Sequence, residues 1–544
     1  MRLSLLCIKR KKMTKQPVKT KTNKIFTIQG GYATVRNCLR KRGWVENFFR
    51  ATEIVKKPAP KTKSDVFSSD DDYDDDDDGI DAEVDVPKVK PWEEEGGLYG
   101  IMVGLCVNLR NLQWFDETDP NTFFPRCYRL SHEEEKHEFI DDFNFTACMN
   151  ILKIVVENYM SWSTLSLQEN QIIISAKSNK ESERQMEIIN EKNTDGKNTP
   201  KKAPHVPVLA VMQALKQCEL FIDRKENIDV DMDEQELGHL TNSQWEKLRE
   251  WYYLLVHNNS IIVDLPTTLV NQCEASLKRL QILCPQFYLD GKNSVWIVKP
   301  GAKSRGRGIT CYDRLEEILK LVDSNVAKRE SKYVIQKYIE RPLLIYNCKF
   351  DIRQWFLVTD WNPLTMWFYR DSYLRFCSQQ FTLSKFDESI HLCNNAVQKN
   401  YKNGPRAKEL PENNMWTHHQ FQEYLRNRSL PNIWDELIYP GMKKAIICSM
   451  FVSQELVEPR KGSFELYGAD FMLTDDYSPW LIEINSSPSM EASTEVTSRL
   501  CTKVLEDTIK VVLDRKHDKN CDIGRFEIGY KQSTVNSPPY LSNF

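Results

Sequence analysis

The sequence contains no long apolar run. No stretch of its 544 residues approaches the roughly 20 consecutive apolar residues that a membrane-spanning helix needs. The apolar stretch Leu3–Ile8 is too short for the hydrophobic region of a secretory signal, and the basic residues 9–12 follow it without a cleavage-like site. The sequence therefore predicts neither a membrane segment nor a secretion signal.

The cysteines lack the spacing of a disulfide framework or a zinc site. There are 15 of them, scattered along the chain, and no two stand in a C-x-x-C pair. Secreted disulfide scaffolds and zinc ribbons show regular spacing, so this pattern excludes both classes. We expect reduced thiols in and around a core, and a cytoplasmic protein.

Charge is unevenly distributed, although the net charge is only −3. Residues 1–63 are strongly basic, whereas residues 70–78 are aspartates interrupted by one tyrosine. Like charges at this density repel one another and bury no apolar surface, so the sequence predicts disorder there. The polar, lysine-rich residues 176–205 have the composition of a surface insert.

A glycine-rich basic loop follows a strand pattern near the middle of the chain. The strand pattern Ser294–Pro300 contains Lys299 near its end, and the loop Gly301–Ile309 carries three cations, with Arg305 among them. Glycines let backbone amides approach an anion closely, and the cations favour phosphate. The loop matches neither G-x-x-x-x-G-K-[ST] nor G-x-G-x-x-G, which excludes those two nucleotide-binding motifs. Taken alone, it is equally compatible with a solvated hairpin turn.

One face of the strand pattern over residues 349–358 is charged. A period of two places three charged residues on that face, namely Lys349, Asp351 and Arg353. Asp360–Pro363 is a turn signal, so residues 365–376 are predicted to return as the partner strand and to bring Arg375 close. Three charges on one strand face are costly in a core and unremarkable on a surface, whereas beside a nucleotide they would be functional.

A second hairpin pattern carries carboxylates. Residues 464–473 and 480–485 are strand patterns joined by a polar turn. If the hairpin folds about its middle, Asp470 lies opposite Glu483 at about 5 Å, and Glu483 shares a strand face with Asn485. Carboxylates this close need a cation between them, and these oxygen ligands are the type that Mg²⁺ prefers. The alternative is an acidic surface hairpin.

Together these segments resemble the motif series of the tubulin tyrosine ligase-like family. The resemblance covers roughly residues 100–505 and is carried by five segments in order, Trp296–Pro300, Ser304–Ile309, Gln336–Ile339, Lys349–Arg353 and Glu483–Asn485. Three shorter segments resemble the glycylase branch of that family, Ile25–Gly30, Arg42–Glu46 and Phe124–Leu130.

The resemblance implies a fold and a division of the chain. The implied fold class is α/β (α+β), an ATP-grasp fold with a preceding N-terminal domain. The first part of the division is a disordered basic arm at 1–23, an ordered segment at 24–55 and an acidic disordered linker at 56–86. An N-terminal ligase domain follows at 87–290, with the insert at 176–205. The ATP-grasp subdomains lie at 291–515 and a loose tail at 516–544.

The resemblance also implies roles for individual residues. Catalytic roles are implied for Lys299, Arg305, Arg353, Arg375 and Glu483. Nucleotide binding is implied for Lys299, Arg305, Gly306, Gln336, Lys337, Tyr338, Ile339, Lys349, Asp351, Asn394 and Asn395. Magnesium binding is implied for Asp470, Glu483 and Asn485. Cys393 stands where the family often has threonine, a stronger hydrogen-bonding group, and no role is carried over to it.

The activity implied by the resemblance is the ATP-dependent addition of glycine to tubulin. An acceptor glutamate would attack the γ-phosphate of ATP, and the amine of glycine would displace phosphate from the acyl phosphate. ATP and Mg²⁺ are the implied cofactors, and acidic C-terminal tails of tubulin, or of other acidic proteins, are the acceptors. We expect a monomer on microtubules of the cytoskeleton and of cilia, with no nucleic-acid or membrane partner.

Three alternatives stay open at this stage. The donor is glutamate or tyrosine instead of glycine in other ligases of this family, and a glutamate donor would need an extra cation for its side chain. A non-catalytic microtubule-binding scaffold would fit the loss of a metal ligand, but Asp470, Glu483 and Asn485 are all present. An ATP-grasp enzyme for small molecules is disfavoured by the long charged appendages.

Overall fold

The computed structural model describes residues 3–4, 24–28, 31–46, 101–177, 205–226, 240–258, 260–301, 306–323, 333–458 and 461–533. The acidic linker, nearly all of the basic arm, most of the polar insert, and Arg305 lie outside these residues. The predictions made for those segments therefore remain predictions.

The described strands are, in chain order, β1 (Leu3–Ser4), β2 (Ile25–Ile28), β3 (Val45–Glu46), β4 (Cys127–Arg129), β5 (His205–Val206), β6 (Ile261–Ile262), β7 (Trp296–Pro300), β8 (Thr310–Tyr312), β9 (Tyr333–Lys337), β10 (Cys348–Trp361), β11 (Leu364–Gln380), β12 (Met415–Thr417), β13 (Glu465–Leu473), β14 (Pro479–Asn485) and β15 (Phe526–Lys531).

The described α-helices are α1 (Ala33–Lys41), α2 (Ile101–Asn108), α3 (Glu133–Lys177), α4 (Val208–Glu226), α5 (Asn242–His257), α6 (Thr267–Leu283), α7 (Leu315–Asp323), α8 (Glu388–His391), α9 (Asn395–Gln398), α10 (His418–Arg426), α11 (Tyr439–Ser453), α12 (Glu495–Ile509) and α13 (Arg515–His517). None of the described helices combines the length and the apolar character that a membrane crossing requires.

The larger sheet is antiparallel and is built around the long hairpin β10–β11. Its strand order is β12-β11-β10-β13-β14, and β15 also pairs with β11. Nearly every residue of β10 is buried, because one face packs on the main hydrophobic core and the other faces a second core or the site described below. The predicted partner strand of β10 is confirmed.

The smaller of the two main sheets, called the smaller sheet below, is also antiparallel, with strand order β4-β9-β7-β8. Its outer face is covered by the helices α3 to α6, whose apolar residues form one cluster with those of β7 and β9; Leu152, Cys218, Leu248 and Val298 are representative members. Within 206–290, the described residues are mainly helical. This helical layer fixes the strands that carry Lys299 and Gln336.

The segment before the linker packs on the larger sheet. Phe26, Val35 and Leu39 lie in one apolar cluster with Trp355 of β10 and Val504 of α12. The structure describes residues 24–28 and 31–46 of this segment. β1 pairs with β2, so the prediction of a disordered arm is wrong for these two residues.

The loose tail predicted at residues 516–544 is wrong for β15. This strand pairs with residues 365–369 of β11. The ring of Phe526 meets that of Tyr369 edge-on, with a distance of 4.9 Å between the ring centroids. Phe526, Ile528 and Tyr530 alternate with polar or small residues, so the strand period could have identified β15. The exposed edge of β11 supplies the missing hydrogen-bonding partner.

Truncating Phe526 tests whether β15 contributes to the stability of the larger sheet. Phe526 is 2% exposed, so Phe526→Ala should lower the free energy of unfolding by about 3 kcal/mol. The measurement is urea denaturation followed by fluorescence. The control is Ile528→Ala on the same strand, which is 47% exposed and should change stability by less than about 0.5 kcal/mol. Equal effects of the two variants would contradict the packing described here.

Candidate nucleotide site

A cleft lies between the two sheets, and strands from both sheets supply its walls. It contains about 600 Å³ of space, part of which is open to solvent. Its lining residues are Ile297, Lys299, Ile309, Gln336, Lys337, Tyr338, Ile339, Lys349, Asp351, His391, Leu392, Cys393, Asn394, Asp470, Met472, Ile482 and Glu483. Ten of these were predicted from the sequence as site residues, although they lie up to 184 positions apart in the chain.

Lys299 is held at the end of β7 by a glutamine on the neighbouring strand. Its ammonium donates to Gln336 Oε1 at 2.7 Å, and the Gln336 amide donates to the carbonyl of Pro125 at 3.3 Å. Burial lowers the pKa of Lys299, while the Glu483 carboxylate acts in the opposite direction. The amine is therefore positioned inside the cleft, where an additional anion would stabilise its charge.

Lys337 lines the cleft, but its amine serves the protein itself. It donates to Glu340 Oε1 at 2.7 Å and to the carbonyl of Val295 at 3.0 Å. Glu340 in turn accepts the backbone N–H groups of Asn293 and Val295, each at 2.8 Å. This ion pair fixes the start of β7, so the Lys337 side chain supports the site from behind.

Lys349 occupies the opposite wall, on β10. Its ammonium donates to the carbonyl of His391 and lies 4.6 Å from the ring centroid of Tyr338. Burial acts to lower the pKa of Lys349, but Tyr338 and the thiols of Cys393 and Cys377 outweigh it and raise that pKa. Lys349 therefore carries a full positive charge in a nearly dry wall.

Four charged side chains form a buried network on the larger sheet. Arg375 donates to both oxygens of Asp351 at 2.7 Å, and its Nη2 lies 2.8 Å from Asp470. Arg353 donates to both oxygens of Asp470. The strand register produces these pairs, because Asp351 lies opposite Arg375 and Arg353 lies opposite Asp470. Although burial acts to raise the pKa of Asp470, the two guanidinium groups hold it well below its usual range.

Asp470 and Glu483 face each other across the β13–β14 pair, as predicted from the sequence. Burial, followed by the charge of Asp470, raises the pKa of Glu483, and Lys299 acts to lower it. Asn485 donates its amide N–H to Glu483 Oε1 at 3.1 Å, which leaves the Asn485 carbonyl oxygen as an acceptor. Two carboxylates and an amide oxygen form a donor set suited to a hard divalent cation.

The glycine-rich loop is described only from Gly306 onward. Gly306 has a φ of +82°, and a Cβ there would lie 2.9 Å from Val397 and 3.4 Å from Asn394 Oδ1. Glycine is therefore required for both the backbone conformation and the close approach. Asn394 lines the cleft, whereas Asn395 is absent from its lining and donates to Ser493 Oγ at 3.1 Å.

Sequence reasoning missed the apolar residues and the 391–393 segment of the cleft wall. Ile297 precedes Lys299 by two residues and Met472 follows Asp470 by two, so the strand period could have identified both. His391 carries no such signal. Its ring nitrogens lie 2.7 Å from Tyr338 Oη and 2.7 Å from the carbonyl of Lys385, and burial lowers its pKa to about 4.

Comparison with known proteins agrees with the sequence motifs. The sequence profile of the tubulin-tyrosine ligase family matches residues 228–521. The chain is 46% identical to human "Tubulin monoglycylase TTLL3", in a match that covers 96% of this chain and 66% of the relative. It is 45% identical to mouse "Protein monoglycylase TTLL8", in a match that covers 96% of this chain and 64% of the relative.

A more distant relative shows the same pattern. The chain is 36% identical to "Tubulin glycylase 3A" of Drosophila melanogaster over 96% of its own length and 53% of the relative. It therefore spans between about half and two thirds of the length of these three proteins. The profile covers more than half of the chain, and together with these identities it shows that the chain belongs to the tubulin-tyrosine ligase family.

Proposed function

We propose that the chain is an ATP-dependent ligase with an ATP-grasp fold, which adds glycine to the γ-carboxylates of glutamates in acidic tails of tubulin. The observation that carries the proposal is the cleft between the two sheets. It holds the amines of Lys299 and Lys349 together with the carboxylates of Asp470 and Glu483. The names of the glycylase relatives support glycine as the donor.

The lining of the cleft suits a nucleotide, because apolar and charged side chains converge there. Ile297, Met472 and Ile482 offer apolar surface to a base, whereas Lys299 and Lys349 offer charge to phosphates. In this proposal the residues Gln336–Ile339 line the base pocket, and Gly306 with Arg305 belongs to the loop over the phosphates.

The donor set of Asp470, Glu483 and Asn485 fits Mg²⁺, which would neutralise phosphate charge when bound with ATP. All three residues contribute oxygen atoms, and Glu483 and Asp470 lie directly opposite each other on adjacent strands. Asp470 also binds both arginines, so its carboxylate links the proposed metal ligands to the proposed phosphate-binding groups.

Activation of the acceptor is the first chemical requirement. An amine does not displace oxide from a carboxylate, because oxide is a very poor leaving group. The glutamate γ-carboxylate therefore attacks the γ-phosphate of ATP, which yields an acyl phosphate and ADP. Such a transfer depends mainly on positioning and on charge neutralisation, and the forked guanidinium groups of Arg353 and Arg375 can each bind two oxygens.

Formation of the isopeptide bond follows. The amine of glycine attacks the acyl carbon, phosphate leaves with the electron pair of the broken C–O bond, and the amine loses its extra proton. Arg353 and Arg375 hold the phosphate in this step. Asp351 and Asp470 occupy the Nε and Nη2 donors of these two guanidinium groups and hold them across neighbouring strands, so the phosphate would bind through Nη1.

The rival functions make different demands on this cleft. A glutamylase or tyrosine ligase of the same family would share its ATP chemistry and differ only in the donor. A non-catalytic microtubule-binding scaffold would not require Lys299, Lys349, Asp470 and Glu483 to be retained in one cleft.

We further propose that the chain works as a monomer on microtubules of the cytoskeleton, including those of cilia, and that other acidic proteins also serve as acceptors.

The donor assay decides among these readings. Purified protein is incubated with ATP, Mg²⁺, microtubules and glycine, glutamate or tyrosine in turn, and tubulin is analysed by intact-mass spectrometry. We expect mass increases of one glycine residue, with glycine alone. Glu483→Gln should abolish them, because it removes a charged metal ligand.

A matched control lies on the same hairpin. Asp475 is in the exposed turn and pairs with Arg341, so Asp475→Asn should leave glycine addition unchanged. Addition of glutamate or tyrosine instead would overturn the donor assignment. No addition with any of the donors would favour the scaffold.

The two cleft lysines should contribute to ATP affinity. Lys299→Met and Lys349→Met each remove a charge-assisted contact to phosphate, which corresponds to about a tenfold or greater rise in the dissociation constant for ATP. Calorimetric titration of ATP in the presence of Mg²⁺ measures this change. Lys399→Met, at the exposed end of α9, is the control and should bind ATP like the parent. Unchanged affinity of both cleft variants would contradict the proposed phosphate site.

A further inference from the structure

Two cysteine side chains meet at the wall of the cleft. Cys377 Sγ and Cys393 Sγ lie 3.4 Å apart, although the residues are 16 positions apart in the chain. Cys377 is 0% and Cys393 is 4% exposed. Cys377 lies on β11 two residues after Arg375, and Cys393 belongs to the cleft wall between α8 and α9.

We propose that Cys377 and Cys393 form an oxidisable dithiol, which a peroxide converts to a disulfide and which thereby weakens nucleotide binding in the neighbouring cleft. The formation of the disulfide rests on the position of the two thiols. Its effect on nucleotide rests on the proposed function.

The chemistry requires one two-electron oxidant. Cys393 is the thiol that lines the cleft, so its sulfur attacks a peroxide oxygen, the O–O bond breaks, and a sulfenic acid and water form. The sulfur of Cys377 then attacks the sulfenic sulfur, and the second oxygen leaves as water. The two thiols and hydrogen peroxide together yield one disulfide and two water molecules.

The surroundings of the thiols have opposing effects on their reactivity. Burial raises the pKa of the Cys393 thiol well above its usual range, as do Cys377 and Asp351, while Lys349 acts to lower it. A buried thiol reacts slowly in its first step. The second step is favoured because the resolving thiol is already in contact. The dithiol should therefore respond to sustained exposure to peroxide, over minutes and not seconds.

The disulfide should displace the part of the wall that contacts the nucleotide site. A covalent S–S bond is much shorter than the present contact, so Cys393 must move toward β11. The adjacent residues are tied to the site on both sides. The carbonyl of His391 accepts from Lys349, and Asn394 packs against Gly306 of the glycine-rich loop. Displacement of either contact disturbs a group that the nucleotide would use.

The same geometry predicts protection by the ligand. Cys393 lines the cleft, so ATP bound there would restrict the access of peroxide to its sulfur. We expect ATP with Mg²⁺ to slow formation of the disulfide several-fold.

The first experiment detects the bond itself. The full chain is treated with hydrogen peroxide, and remaining thiols are blocked before non-reducing peptide mass spectrometry. We expect a peptide pair joined through Cys377 and Cys393. The partly exposed Cys284 and Cys521 report whether the oxidation is complete. If they are fully oxidised and the peptide pair is absent, the proposal is overturned. The appearance of the pair at the same rate with and without ATP would overturn the cleft-facing route.

The second experiment measures the affinity for ATP before and after peroxide, and again after dithiothreitol. We expect the dissociation constant to rise about tenfold and to recover on reduction, since one charge-assisted contact of this type corresponds to such a factor. Cys377→Ser should bind ATP like the reduced parent and should show no change with peroxide. Cys377→Ala serves if the serine variant does not fold. Cys393→Thr should likewise lose the response to peroxide.

The outcomes separate the two proposals. Failure of the reduced parent to bind ATP would contradict the proposed function and leave the disulfide measurement valid. Normal binding by the reduced parent, combined with a disulfide that leaves affinity unchanged, would overturn the regulatory inference alone. If Cys377→Ser also loses ATP binding after peroxide, the effect belongs to other thiols, and the regulatory inference is again overturned.

Discussion

The buried ion network of Asp351, Arg353, Arg375 and Asp470 is the constraint on which the site depends. Burying a charge is costly unless it is paired and hydrogen-bonded, and removing one partner of a buried pair typically costs about 3–5 kcal/mol. All four residues are at most 9% exposed, and each contacts a partner on a neighbouring strand. A shifted register would separate these pairs, so the network favours the observed register among β11, β10 and β13.

The register in turn positions the remaining charged groups. With Asp470 fixed against Arg353, the β13–β14 pairing brings Glu483 to the same place. Glu483 then faces Lys299, which the smaller sheet presents through the Gln336 side chain. The two sheets thus meet through charges of opposite sign at a cleft, and an ATP molecule with its metal would complete the neutralisation of that cleft.

The helical N-terminal layer also contributes to this arrangement. β4 pairs with β9, and the carbonyl of Pro125, two residues before β4, orients the amide of Gln336. Arg126 contacts Asp142 of α3 and Asp290, which joins the helices to the residues before β7. The segment that resembles the glycylase branch is therefore part of the support of the cleft. Its contribution acts through the position of Lys299.

Local pattern determined much of this protein. The alternation of Lys349, Asp351 and Arg353 and the pairing of Asp470 with Glu483 followed from the period of a strand and from turns of a few residues, because these features depend on neighbours in the chain. The family motifs supplied further residues of the cleft, such as Gln336 and Asn394. Lys337 shows the limit of such reasoning, since its amine binds Glu340 instead of facing the cleft.

Only the tertiary structure decided which distant segments meet. The contact of Arg353 with Asp470 joins residues 117 positions apart, and nothing local to either strand specifies that β10 lies between β11 and β13. The contact of Cys377 with Cys393, the position of His391 in the wall and the addition of β15 to β11 are of the same kind. Such contacts arise because a sheet satisfies its hydrogen bonds and buries its apolar face as a whole, and that requirement is not encoded in any single segment.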